Sequence, residues 1–139
     1  MPRPTRPVAP VPPGDSLSEV QRARLAEAVA AAEQATGLHF LLHVGRLDHG
    51  RAGAESLLAQ SGTTAPDTVL VAVDTAARGL EIVTGTRATA QVSDRTCALA
   101  ALAMTSSFAA GDLVGGIVNG LQILGDHGRR QHVRHLERA

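Results

Sequence analysis

The chain of 139 residues predicts an α/β fold: a small mixed β-sheet with a β-hairpin, sandwiched between α-helices. Three observations carry this. Apolar residues recur at helical spacing in four separate segments. TVLVAVD, Thr68–Asp74, is apolar at nearly every position, as a strand covered on both faces must be. TAARG then returns the chain tightly into LEIVTG, Leu80–Gly85, which makes the two strands an antiparallel hairpin.

The elements follow in order. Residues Met1–Asp15 hold six of the seven prolines and show no apolar period. They read as a disordered or polyproline-like leader, with PVAPVPP a spacer rather than a docking motif. Residues 16–125 read as the single folded domain. Ser18 with Gln21 forms a capping box that opens the first helix. Val20, Leu25, Ala28, Val29 and Ala32 make its stripe, and Gly37 is a natural stop. LHFLLHV, Leu38–Val44, is a strand with Leu38, Phe40, Leu42 and Val44 on one face. The loop GRLDHGRAG leads to a short helix near Ala54–Gln60, and SGTTAPD breaks the pattern before the hairpin. Ser93 caps a third helix that runs to about Ala110 and ends at Gly111. A fourth runs from Asp112 to about Leu124 and stops at Gly125. Residues 126–139 read as a basic Arg/His tail, at most a weakly docked helix.

Composition removes several functions. The hydrophobic fraction is 44%, built from Ala, Val and Leu with two Phe, no Tyr and no Trp. All 13 basic residues are Arg and they balance 13 acids. Without a strong basic stripe or stacking rings, no nucleic-acid partner is expected. The lone Cys97 excludes an internal disulfide framework and reads as a small buried hydrophobe. No run reaches the ~18 apolar residues of a membrane span, and the leader has no apolar core. With Met1 as the start, a cytoplasmic and not transmembrane protein is expected.

Candidate chemistry narrows to a few acids. In FAAGDLVGGIVNGLQIL, Phe108–Leu124, one carboxylate stands in a long apolar run. Asp is a leading N-cap and Gly a leading helix stop, so Gly111–Asp112 is what a tight helix corner needs. The alternative makes Asp112 a ligand in a small pocket. A helix of ~17 residues at 1.5 Å per residue spans about the length of the preceding strand and its turn. The third helix therefore returns across the sheet, and Asp112 is expected at the same rim as Asp74, with Asp94 at the opposite edge. Asp94 follows its cap and suits the positive end of the helix dipole. Two carboxylates make at best a weak site for Ca2+ or Mg2+, which take about six or more oxygens.

Gly116 and Gly120 allow close approach of the last helix to a neighbour. His39 and His43 share a strand face but lie ~13 Å apart, too far to chelate one metal. His49, His127, His132 and His135 read as polar loop or tail. No nucleophile elbow, phosphate loop, metalloprotease helix or cysteine cluster occurs.

ATGLHFLLHV, the hairpin VLVAVDTAARGLEIVTG, the helix start SD and FAAGDLVGG together resemble the TPM domain family, and more narrowly its uncharacterised actinobacterial branch. The resemblance covers about Leu17–Gly125. It implies a sheet between helices, divalent-metal binding by acids at the sheet edge, phosphatase activity in some members and membrane-complex assembly in others. Two departures stand out: no export signal or anchor, and a single Asp74 followed by Thr75 where several members carry paired acids. The expectation is a non-catalytic protein-interaction or accessory module with an unknown protein partner. The alternative is a weak metal-dependent phosphatase using Asp74 and Asp112.

Overall fold

The structure, a computed structural model, describes residues 17–77 and 79–129. Its order is α1 (Glu19–Thr36), β1 (His39–Val44), α2 (Gly50–Ala59), β2 (Thr68–Asp74), β3 (Gly79–Thr84), α3 (Asp94–Ala109) and α4 (Leu113–His127). Short 3-10 turns, Gly62–Asp67 and Ala88–Ala90, precede β2 and α3.

The sheet is mixed and ordered β1-β2-β3. Strand β1 runs parallel to β2, His39 opposite Thr68, and β3 returns antiparallel, Val69 opposite Thr84. Every residue of β2 is buried, as its unbroken apolar run requires. Val69, Val71 and Val73 point to one face, where α1, α3 and α4 supply Leu25, Met104, Ile117, Leu121 and Leu124. Leu70 and Ala72 point to the other, against Ala54 and Leu58 of α2. Helix α4 lies in the middle of the three-helix layer and packs on both α1 and α3.

The helix signals act locally as expected. Ser18 Oγ accepts the Gln21 N–H at 3.0 Å and the Gln21 side chain accepts the Ser18 N–H at 2.9 Å. Such a box contributes on the order of 1 kcal/mol. Gly37 closes α1 at φ 77, a left-handed conformation that glycine adopts without strain. Val20 departs from the expected stripe: it is 77% exposed, and Leu17, just before the helix, packs against the core instead. Helix α2 begins at Gly50, earlier than its apolar residues indicate, since the preceding loop residues already turn into it.

Helix α4 passes through Gly125 and ends at His127, capped by Gly128. The glycine expected to stop the helix instead serves packing: a Cβ on Gly125 would lie 3.2 Å from the Ala32 Cα of α1. A Cβ on Gly120 would collide with the Met104 side chain of α3, and one on Gly116 would lie 2.8 Å from Ser107 Cβ. These glycines let α4 sit between its two neighbours. Asn119 is exposed on the remaining face. At the lower end of the layer, Gln91 Nε2 donates to Thr36 O at 2.5 Å and Gly128 O at 2.6 Å. One side chain thus satisfies carbonyls at two helix C-termini that would otherwise lack partners.

Candidate functional site: a cleft at the hairpin rim

Helix α3 does return across the sheet. Its end and the Gly111 corner meet the hairpin bend, and between them lies a cleft of about 320 Å³. Val73, Asp74, Thr75 and Gly79 form one wall; Thr105, Phe108, Gly111 and Leu113 belong to the other. This rim carries the carboxyl ends of the parallel strands β1 and β2, where open α/β sheets place their ligand sites.

The two candidate acids have different surroundings. Asp74 lines the cleft at the end of the central strand and is 6% exposed. Its Oδ2 accepts the Leu47 N–H at 3.0 Å, and its Oδ1 accepts the Ala77 N–H at 3.1 Å. These backbone donors, Leu47 first, hold the carboxyl below its ordinary value of 3.8, so it is ionised at neutral pH. Asp112 does not line the cleft, although Gly111 and Leu113 on either side of it do. It is the N-cap of α4: Oδ1 accepts the Gly115 N–H at 2.9 Å. Gly115 has no Cβ because one would strike this carboxylate. Gly111 makes the corner at φ 87.

These residues fit a hard cation poorly. Such an ion takes about six oxygens, several from carboxylates. Here one carboxylate has a backbone donor on each oxygen and the other is turned onto its own helix. Among the described residues, no group of three or more His, Cys, Asp and Glu is placed to hold a metal ion. The cleft can take an apolar group against Val73, Phe108 and Leu113, with the Thr75 and Thr105 hydroxyls in its lining.

The other candidates lie elsewhere. Asp94 sits in the first turn of α3, where Ser93 Oγ caps the Thr96 N–H at 3.2 Å. His39 is exposed, and His43 Nε2 pairs with Arg46 O at 2.9 Å. His49 precedes α2 at φ 69 without a side-chain cap bond, and His127 is exposed in the last turn of α4. His132, His135 and the leader lie outside the described residues. Cys97 is half-buried; desolvation, with Asp94 adding to it, pushes its thiol up to about 11. No described helix is long and apolar enough to cross a membrane.

The cleft's apolar wall is what sequence reading missed. Phe108, one of only two phenylalanines, stands one turn before the Gly–Asp corner, and that placement was its only signal. Thr105 and Leu113 carry no motif.

The fold is that of a small α/β sandwich seen in two solved bacterial proteins. One is BA42 from the psychrophile Bizionia argentinensis, at TM-score 0.68 and 20% identity over 81% of each chain. The other is the N-terminal domain of cg2496 from Corynebacterium glutamicum, at TM-score 0.68 and 14% identity, covering 82% of this chain and 75% of that one. At such identities the likeness establishes the fold alone. Residues 9–125 match the family described as "Domain of unknown function (DUF5130)", and the chain belongs to that family. No curated protein matches it.

Proposed function

We propose that this domain is a non-catalytic protein-interaction module whose hairpin-rim cleft receives an apolar side chain of a partner polypeptide. The observation that supports it is the lining: Val73, Phe108 and Leu113 surround a space whose one carboxylate already has a backbone donor on each oxygen. Concave, mostly apolar sites with a few placed polar groups are the ordinary form of a binding pocket. The TPM resemblance is part of this reading: the helix-covered sheet agrees with it, and accessory roles are what that family implies.

The test compares three baits in lysate of the source organism: wild type, Thr105→Arg, which fills the cleft, and Gln34→Arg on α1, away from it. A partner recovered by wild type and Gln34→Arg is then purified and its Kd measured. The reading predicts at least about a tenfold loss with Thr105→Arg alone, roughly the contribution of one buried anchor. Equal affinity for all three would refute it.

A second reading, divalent-metal-dependent phosphate-ester hydrolysis, is favoured only by the ionised Asp74 in the cleft wall. It requires Asp112 to leave Gly115 and turn toward Asp74. Turnover of p-nitrophenyl phosphate that needs added Mg2+ or Ca2+, and is lost in both Asp74→Asn and Asp112→Ala, would support it over the first.

A further inference from the structure

Both edges of the three-stranded sheet carry a charged side chain on an outward backbone group. On β3, Arg51 Nη1 donates to Ile82 O at 3.2 Å and lies 3.6 Å from Glu81. On β1, Glu33 Oε2 accepts the Phe40 N–H at 3.0 Å. Gly45 N–H bonds Val73 O of β2, so by alternation the N–H and C=O groups of Phe40, Leu42 and Val44 face away from the sheet. Among the described residues, no acceptor meets the Leu42 or Val44 amide. Helix α2 packs chiefly on β2 and β3, and Leu41 of β1 stays 42% exposed beside Leu57 and Gln60 at its end.

We propose that Glu33 guards the β1 edge against antiparallel pairing with a second copy of this chain. The pairing is self-complementary. Centred on Leu42, it places Leu42 opposite its own copy and Phe40 opposite Val44, all outward-facing residues that form hydrogen-bonded pairs. Leu41 then falls beside the copy's His43 and loses its exposure. Because the arrangement is two-fold, one guard acts twice. With each Phe40 amide held by Glu33, both outer pairs lose a bond and only the central Leu42 pair stays complete. An unpaired edge is a template for association, and a charged side chain placed on it is a common means of blunting it. The two-fold pairing uses the β1 edge of both copies and so ends at a dimer, while on the far edge Arg51 holds the Ile82 carbonyl.

Sedimentation velocity from low micromolar to near-millimolar protein tests this. Wild type and Glu33→Gln, whose amide oxygen still accepts from Phe40, are expected to stay monomeric. Glu33→Ala is expected to self-associate at least about tenfold more tightly, the scale of one freed hydrogen-bond position counted at both ends. Adding Leu41→Lys should return it to monomer. A monomeric, folded Glu33→Ala overturns the proposal, as does a Glu33→Ala dimer that survives Leu41→Lys, or Glu33→Gln dimerising like Glu33→Ala. If Glu33→Ala fails to fold, hydrogen exchange on wild type decides. The guard requires the Phe40 amide to exchange at least about tenfold more slowly than those of Leu42 and Val44; equal rates overturn it.

Discussion

Asp74 Oδ2 accepts the Leu47 N–H at 3.0 Å, so a carboxylate at the end of the central strand fastens the loop that leads into α2. Its second oxygen fastens the hairpin turn through Ala77. The same side chain borders the cleft. Its first role is to hold two loops that shape the rim, and that role limits what else it can bind.

Asp74→Asn leaves one backbone N–H facing an amide NH2. At pH 7 we expect a loss of roughly 1–3 kcal/mol, the cost of a buried donor without an acceptor, measured by urea unfolding. The pH dependence has a definite sign. The folded carboxyl titrates below its ordinary 3.8. The stabilisation is therefore complete above that unfolded value and is lost as pH falls through the lower folded value. The gap between wild type and Asp74→Asn should narrow below about pH 4 and stay constant from pH 5 to 8.

Asp112 has a capping role that its substitutions separate from a ligand role. Asp112→Asn keeps an oxygen for the Gly115 N–H and should change stability by less than about 0.5 kcal/mol. Asp112→Ala should cost about 1 kcal/mol. Thermal unfolding of the pair in metal-free buffer and with added Ca2+ checks this, the difference between them being unaffected by the metal.

Gly120→Ala drives a methyl group into Met104 of α3. Since Met104 is fully buried and its surroundings close-packed, we expect a loss of about 1–3 kcal/mol. Asn119→Ala, on the exposed side of the same helix, should stay within about 0.5 kcal/mol.

Cys97, with its thiol near 11, holds little thiolate at pH 8. Iodoacetamide should modify it on the order of a hundredfold more slowly than the denatured chain, whose thiol titrates near 8.5. Equal rates would place Cys97 outside the core.

Much of this architecture was readable in local chemistry. Ser18, Ser93 and Asp112 each cap the helix expected of them because a short polar side chain before an apolar period has few better partners than free amides. The unbroken TVLVAVD run announced a strand buried on both faces. What could not be read depended on distant partners. Gly125 looks like a stop, yet Ala32, far away in sequence, makes it a packing position. The rim shared by Asp74 and Gly111 followed from element lengths, whereas the direction of the Asp112 carboxylate depends on angles that no spacing encodes. The bond from Asp74 to Leu47 joins loops whose meeting only the assembled sheet determines.

The most direct test of the account is a titration of 15N-labelled protein with Ca2+ and then Mg2+, read at the amides of Leu47, Asp74, Ala77, Asp112 and Gly115. Both carboxylates being engaged by backbone donors, millimolar metal should produce no saturable shift at any of the five. Saturable shifts that develop together at Asp74 and Asp112, with one common affinity, would contradict it by showing that the two acids converge on a single ion.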